Sequence, residues 1–191
     1  TPQQSLERKG RRAAAAPGLN EAINWSFLPQ READAFGGGT WSLENPISED
    51  MKVMRPSLLP GLLSAAQRNM DRGASSVRLF EVGRRYLADT ERLTASIVLA
   101  GEKTPRGWSS GKAATFDAYD AKAEVIALLA AAGVATEGLM VLGDAGDHYH
   151  PGQSATLRMG PKNILAAFGT LHPATAKAFD LDGTVIAAEI F

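Results

Sequence analysis

The chain has 191 residues, 45% of them hydrophobic and 21% charged, with a formal net charge of -1, which excludes a disordered acidic tail and a globally basic nucleic-acid module. A chain of this length makes about one large domain and buries roughly 70% of the surface its unfolded form exposes. There is no cysteine, so disulfides and thiolate metal sites are excluded and a reducing compartment is expected.

Residues 3–16 (QQSLERKGRRAAAA) carry good helix formers and end at Pro17-Gly18, a stop signal. Gly10 costs this helix roughly 1 kcal/mol of propensity, which points to a partner surface that holds it. Ala22 to Leu28 (AINWSFL) alternates like a strand, and Pro29 to Phe36 reads as a short helix closed by Gly37-Gly38-Gly39. Asn45-Pro46 starts a turn. Ser57 to Asn69 (SLLPGLLSAAQRN) places Leu58, Leu62, Ala65 and Ala66 on one helical face, with Pro60 early enough for the first turn. Strands follow at about 77–87 and 94–101.

Phe116 to Ala132 has the strongest helical pattern, with Asp117 and Asp120 where the helix dipole favours acids. Short strands are expected near 138–142, 154–159 and 163–170, then a helix near 173–180 opened by Pro173, then a last strand from 184. Strands outnumber helices and the later ones have short connections, which predicts an α+β fold with a mostly antiparallel sheet. No repeat, low-complexity segment or linker divides residues 1–191, so they read as a single module. The chain opens at Thr1 without an initiator Met and stops inside an apolar run (TVIAAEIF), and so reads as a piece of a longer polypeptide. The most apolar stretch, Val125 to Ala132, is far shorter than the roughly 20 residues a bilayer requires, and no signal-peptide h-region is present. A soluble, cytoplasmic protein with no membrane partner is expected.

Several stretches invite a chemical reading, and each has a plainer one. Gly107 to Ala113 (GWSSGKA) imitates a phosphate loop, but a P-loop needs four residues between its glycines and a Ser or Thr after the lysine. Asp144 to His150 (DAGDHYH) gathers two carboxylates and two histidines, a zinc or iron ligand set, yet lacks the spacing that aims two histidines at one ion; loop polarity explains it. Asp117, Asp120 and Glu124 could form a carboxylate face for magnesium, but acids in a first helical turn beside Lys122 account for them. No Gly-x-Ser-x-Gly elbow or cysteine nucleophile exists for a hydrolase. Residues 51–92 hold eight Lys/Arg against four acids, a local excess suited to phosphates or an acidic protein face, or simply to solvent.

Four stretches together carry a resemblance: Asn45–Gly73 (NPISEDMKVMRPSLLPGLLSAAQRNMDRG), Val77–Leu87 (VRLFEVGRRYL), Tyr149–Ala155 (YHPGQSA) and Phe168–Pro173 (FGTLHP). They resemble, in order and over nearly the whole chain, the catalytic-like module of the bacterial phenylalanine–tRNA ligase beta subunit. The resemblance implies the class II aminoacyl-tRNA synthetase fold, an antiparallel sheet flanked by helices. Residues 3–28 then resemble motif 1, and Arg78–Leu87 resembles motif 2.

In active class II enzymes motif 2 reads approximately Arg-x-Phe-Glu-x-Gly-x-x-Phe-Arg-x-Glu, its second arginine gripping the ATP α-phosphate and the amino-acid carboxylate. This chain keeps Arg78, Phe80, Glu81, Gly83 and the aromatic Tyr86, but has Leu87 in place of that arginine and Asp89 in place of the glutamate. Leucine has neither the charge nor the donors with which such a site stabilises a phosphoryl transition state. Motif 3 has no match before Phe191.

The resemblance therefore implies a non-catalytic module with no catalytic, cofactor-binding or metal-ligating residue of its own. The parent enzyme would join phenylalanine to tRNA(Phe) with ATP and magnesium through an aminoacyl-adenylate, as a tetramer of two alpha and two beta subunits whose active site lies in alpha. Leu6, Leu58 and Leu62 are the residues expected to face alpha. Two competing readings are an independent nucleotide-binding ligase using Arg55, Arg84 or Arg85, and a tRNA-contacting module using the basic 51–92 segment.

Overall fold

The computed structural model describes residues 1–88 and 90–191. Its elements are α1 (Pro2–Ala15), β1 (Asn20–Glu21), β2 (Phe27–Leu28), α2 (Gln30–Asp34), a 3₁₀ turn (Glu49–Met51), β3 (Val53–Met54), α3 (Leu59–Asp71), β4 (Ser76–Leu87), β5 (Thr90–Thr104), β6 (Ala114–Thr115), α4 (Ala118–Ala131), β7 (Met140–Leu142), β8 (Tyr149–Met159), β9 (Asn163–Leu171), α5 (Pro173–Ala178) and β10 (Val185–Ile190). Seven strands run in the order β1-β4-β5-β10-β9-β8-β7, with β6 paired to β5, and β2 and β3 form a separate small sheet. Every pairing in the large sheet is antiparallel except β1 with β4. This is the expected α+β architecture.

The central strands read as continuous apolar runs because helices cover both of their faces. On one face Val98, Ala100, Val185 and Ala187 pack with Leu62 and Leu63 of α3 and with Phe179 beyond α5. On the other, Ile97, Leu99, Ile186 and Ala188 pack with Val125 and Leu128 of α4 and with Ala14 of α1. Side chains alternate between the two cores residue by residue, as the period of a strand requires.

Helix α4 starts where its acids cap it: the Asp117 carboxylate accepts from the backbone N–H groups of Tyr119 (2.8 Å) and Asp120 (3.1 Å), while the Asp117 N–H donates to Asp120 Oδ2 at 2.9 Å. Helix α1 is tied to the sheet edge by Arg11, whose Nε donates to Glu21 Oε1 (2.7 Å) and whose Nη2 donates to the Val82 carbonyl (3.1 Å).

Two expectations need correction. The strand expected over 22–28 is split: Asn20–Glu21 joins the large sheet, Phe27–Leu28 pairs with Val53–Met54, and no strand covers 22–26. The break follows from Asn24, whose side chain and N–H both turn to Glu81 of β4 (2.7 and 3.4 Å) and leave the alternation of a strand. Leu58 and Leu62, expected on a surface facing a partner, are both 0% exposed. The apolar face of α3 is covered by the chain's own sheet, and Leu62 sits among Val77, Val98 and Ala187. Leu6 is 41% exposed.

Candidate functional site

The segment Met54-Arg55-Pro56 crosses β4 just where the motif 2-like stretch lies. The Arg55 N–H donates to the Ser26 carbonyl and the Tyr86 N–H to the Arg55 carbonyl, both at 2.9 Å. Its guanidinium, 6% exposed, donates from Nη1 to Glu81 Oε1 at 2.7 Å and from Nε to the Arg84 carbonyl at 2.9 Å. Glu81, 4% exposed, accepts from Arg55 and Asn24 together. A charge taken out of water persists only when paired and hydrogen-bonded, and this pair meets both conditions.

Gly83 makes room for it. A Cβ at that position would stand 2.6 Å from Arg55 Nη2, and one at Gly61 of α3 would stand 2.8 Å from the Cβ of Asn24. The Glu-x-Gly of the motif thus builds an internal frame that fastens residues 24–55 to β4.

The other motif positions follow suit. Phe80 is 2% exposed, in the core beside Ile97 and Phe116. Arg78 lies over the Phe116 ring at 5.0 Å and donates from Nη2 to the Lys103 carbonyl at 2.6 Å. Tyr86 packs against Trp41, ring centroids 5.5 Å apart, and Arg84 is paired with Glu91. Asp89 lies outside the described residues.

Leu87 lines a cavity of about 260 Å³ together with Arg85, Ser57, His148, Glu189 and Phe191. Arg85 stacks on Phe191 at 4.3 Å. Ser57 Oγ donates to Glu189 Oε1 at 2.7 Å, and burial holds the Glu189 carboxyl above the usual carboxylate range, against the pull of Ser57 and Arg85. His148 packs on Phe36 at 4.8 Å, and burial lowers its pKa to about 4, so the imidazole is neutral at pH 7.

Of these groups, the sequence drew attention to Leu87, Arg85 and His148. It missed Asn24, Ser57 and Glu189, although a lone acid in the apolar run VIAAEI is a signal in itself, because an unpaired charge there would be costly.

The remaining candidates disperse. Gly107 and Gly111 bond each other's backbones (3.2 and 2.9 Å) in a closed loop that leaves Trp108 fully exposed. Asp144 is engaged by Arg158 and Thr156, His150 Nδ1 accepts from the Gly152 N–H, and His148 turns inward. Among the described residues no three His, Asp or Glu side chains converge as a metal site would need. Asp117 caps α4, and Asp120 pairs with Lys103.

The whole chain, residues 1–191, matches the family model described as the phenylalanyl tRNA synthetase beta chain CLM domain. The chain belongs to this family. The phenylalanine–tRNA ligase beta subunit of Novosphingobium aromaticivorans is 65% identical to this CLM domain over 198 residues, covering 100% of the chain and 25% of that protein. The beta subunit of Zymomonas mobilis is 60% identical over 188 residues, covering 98% of the chain and 24% of that protein. The chain thus spans about a quarter of the length of these curated relatives. Its backbone is similar to that of a pyrrolysyl tRNA synthetase from Desulfitobacterium hafniense, with a TM-score of 0.72 over 98% of this chain and 63% of that one at 15% sequence identity. The CLM domain has the class II aminoacyl-tRNA synthetase fold. No helix among the described residues is long and apolar enough to cross a membrane.

Proposed function

We propose that this CLM domain is a non-catalytic structural module of a cytoplasmic phenylalanine–tRNA ligase, packing against the catalytic alpha subunit of an alpha2beta2 tetramer. In this reading the parent enzyme attaches phenylalanine to tRNA(Phe) using ATP and Mg²⁺ through an aminoacyl-adenylate, and the chemistry occurs in alpha. One observation carries the proposal: the motif 2-like strand is given over to internal structure. Glu81 and Gly83 hold Arg55, Arg84 pairs with Glu91, and the cavity wall at position 87 is leucine. Of the three arginines a nucleotide site would draw on, only Arg85 faces the cavity.

The alpha-facing surface is assigned to the exposed side of the N-terminal region rather than to α3. Leu6 is half-exposed, Ile23 is 90% and Trp25 72% exposed, and the loop residue Ile47 is 95% exposed. Ile23 and Trp25, two apolar side chains separated by one residue and both open to water, suit a partner surface. The test is assembly of full-length beta carrying Ile23→Asp and Trp25→Asp with alpha, followed by light scattering on size exclusion. The double variant is expected to keep its circular dichroism and lose the tetramer. A tetramer of undiminished stability would remove this surface from the proposal.

A further inference from the structure

Between β5 and β6 the chain makes a loop whose shape is set from within. Gly107 and Gly111 exchange backbone hydrogen bonds, and Ser110 Oγ donates to the Pro105 carbonyl at 3.1 Å. Gly111 takes a left-handed backbone (φ +74°), and a Cβ at Gly107 would stand 2.8 Å from Ser110 Oγ, so glycine suits both positions. This closed turn carries Trp108 at its tip, 101% exposed. An indole is among the largest apolar groups a chain can bury, and the fold holds this one wholly in water.

The charge around it has one sign. Residues 103–116 contain three Lys/Arg and no Asp or Glu. Lys103 is paired with Asp120 at 2.5 Å, whereas the exposed Arg106 and Lys112, one on each side of the turn, form no ion pair among the described residues. The acids that flank the segment are turned to other work or set below it. Asp117 accepts from the backbone of α4, and Glu102 lies opposite Thr115 at the foot of the hairpin.

We infer that this loop is a contact for RNA, with Trp108 stacking on an unpaired base and Arg106 and Lys112 meeting the phosphates on either side of it.

The selection among partners follows from what surrounds the indole. Aromatic side chains between cations are the means by which proteins hold single strands: every base has a face to stack, and the backbone on each side is anionic. A duplex hides its base faces in its own stack. A protein partner would use an aromatic anchor ringed by contacts that shut out water, but the other residues from 105 to 113 are Pro, Gly, Ser and Ala besides the two cations. The chain as a whole has a net charge of -1, so attraction to phosphate has to be local, and this turn supplies it. The inference rests on the ligase reading only for the identity of the RNA, which would then be tRNA(Phe).

The test uses full-length beta assembled with alpha and fluorescein-labelled tRNA(Phe), with affinity read by anisotropy over a salt series. Trp108→Ala should weaken binding roughly five- to a hundred-fold, the usual contribution of one base stacked on an aromatic ring, and Trp108→Phe should restore most of it. Arg106→Gln with Lys112→Gln should reduce the slope of log affinity against log salt by about 1.4, since each phosphate contact on a single strand contributes about 0.7. Ultraviolet crosslinking should attach tRNA to the tryptic peptide Gly107–Lys112. All three altered side chains are exposed, so circular dichroism should not change. A short oligouridylate offered to beta without alpha separates this inference from the ligase reading: if wild-type beta fails to assemble with alpha but Trp108→Ala still loses the oligouridylate, the ligase reading falls and the RNA contact stands. The inference is overturned if Trp108→Ala binds both RNAs as the wild type does, if Trp108→Phe is as weak as Trp108→Ala, or if the variants break up the tetramer with RNA affinity unchanged, which would make the loop a protein contact.

Discussion

Replacing Glu81 by glutamine keeps the size of the side chain and removes its charge, so the buried guanidinium of Arg55 would keep only neutral acceptors, the glutamine oxygen and the Arg84 carbonyl, and no counter-charge. Arg55 is 5% exposed, so water cannot replace the lost partner. Breaking one side of a buried ion pair costs about 3–5 kcal/mol, and the glutamine NH2 set against Asn24 Nδ2, where the second carboxylate oxygen accepted, adds to it. Exchanging both partners for apolar residues of similar volume, Arg55→Met with Glu81→Leu, should cost less than either single change. Neither charge is then stranded, and such replacements are often neutral.

The assay is urea unfolding of the 191-residue chain by circular dichroism, run as a double-mutant cycle. The expected coupling is roughly 2–3 kcal/mol or more, in the range of residues that share a network. Gly83→Ala belongs to the same cycle: its Cβ, 2.6 Å from Arg55 Nη2, should destabilise by about 1–3 kcal/mol, and Arg55→Met should relieve most of that cost. Single changes that each cost under about 1 kcal/mol, or a double variant equal to the sum of the singles, would refute the claim that Glu81 and Gly83 serve this frame.

Three further outcomes are expected. His148 binds fewer protons folded than unfolded between its folded pKa of about 4 and the ordinary value of 6.5, so it makes stability fall as pH drops through that window, by about 3 kcal/mol at most. Comparing urea midpoints of wild type and His148→Phe at pH 7.5 and pH 4.5 should show a smaller acid loss in the variant. Glu189 has the opposite sign: its folded pKa is raised, so the stability it contributes is complete below the unfolded value and lost as pH rises. Glu189→Gln should therefore lose less stability on going from pH 4 to pH 7 than the wild type. Leu62→Ala should cost about 2–5 kcal/mol in the same unfolding assay, because Leu62 is fully enclosed.

Much of the architecture was legible because local pattern and tertiary role agree. The acids at 117 and 120 announce the start of α4, and the run VIAAEI announces a strand buried on both faces. Asn24 was not legible: its partner Glu81 lies 57 positions away, and AINWSFL alternates well enough to pass for a strand. Leu58 and Leu62 were placed on the right helical face and given the wrong neighbour, since periodicity identifies an apolar face without saying what covers it. At the site, Leu87 could be located by its register after Gly83. Ser57, His148 and Glu189 meet beside it only through the fold, because no local spacing connects a helix entry, a loop and the final strand.

The central claim, that this module lacks chemistry of its own, is tested most directly by phenylalanine-dependent ATP–pyrophosphate exchange on full-length beta subunit purified without alpha. No exchange above background is predicted, with activity appearing when alpha is added. Exchange by beta alone that disappears in Arg85→Leu would contradict the account.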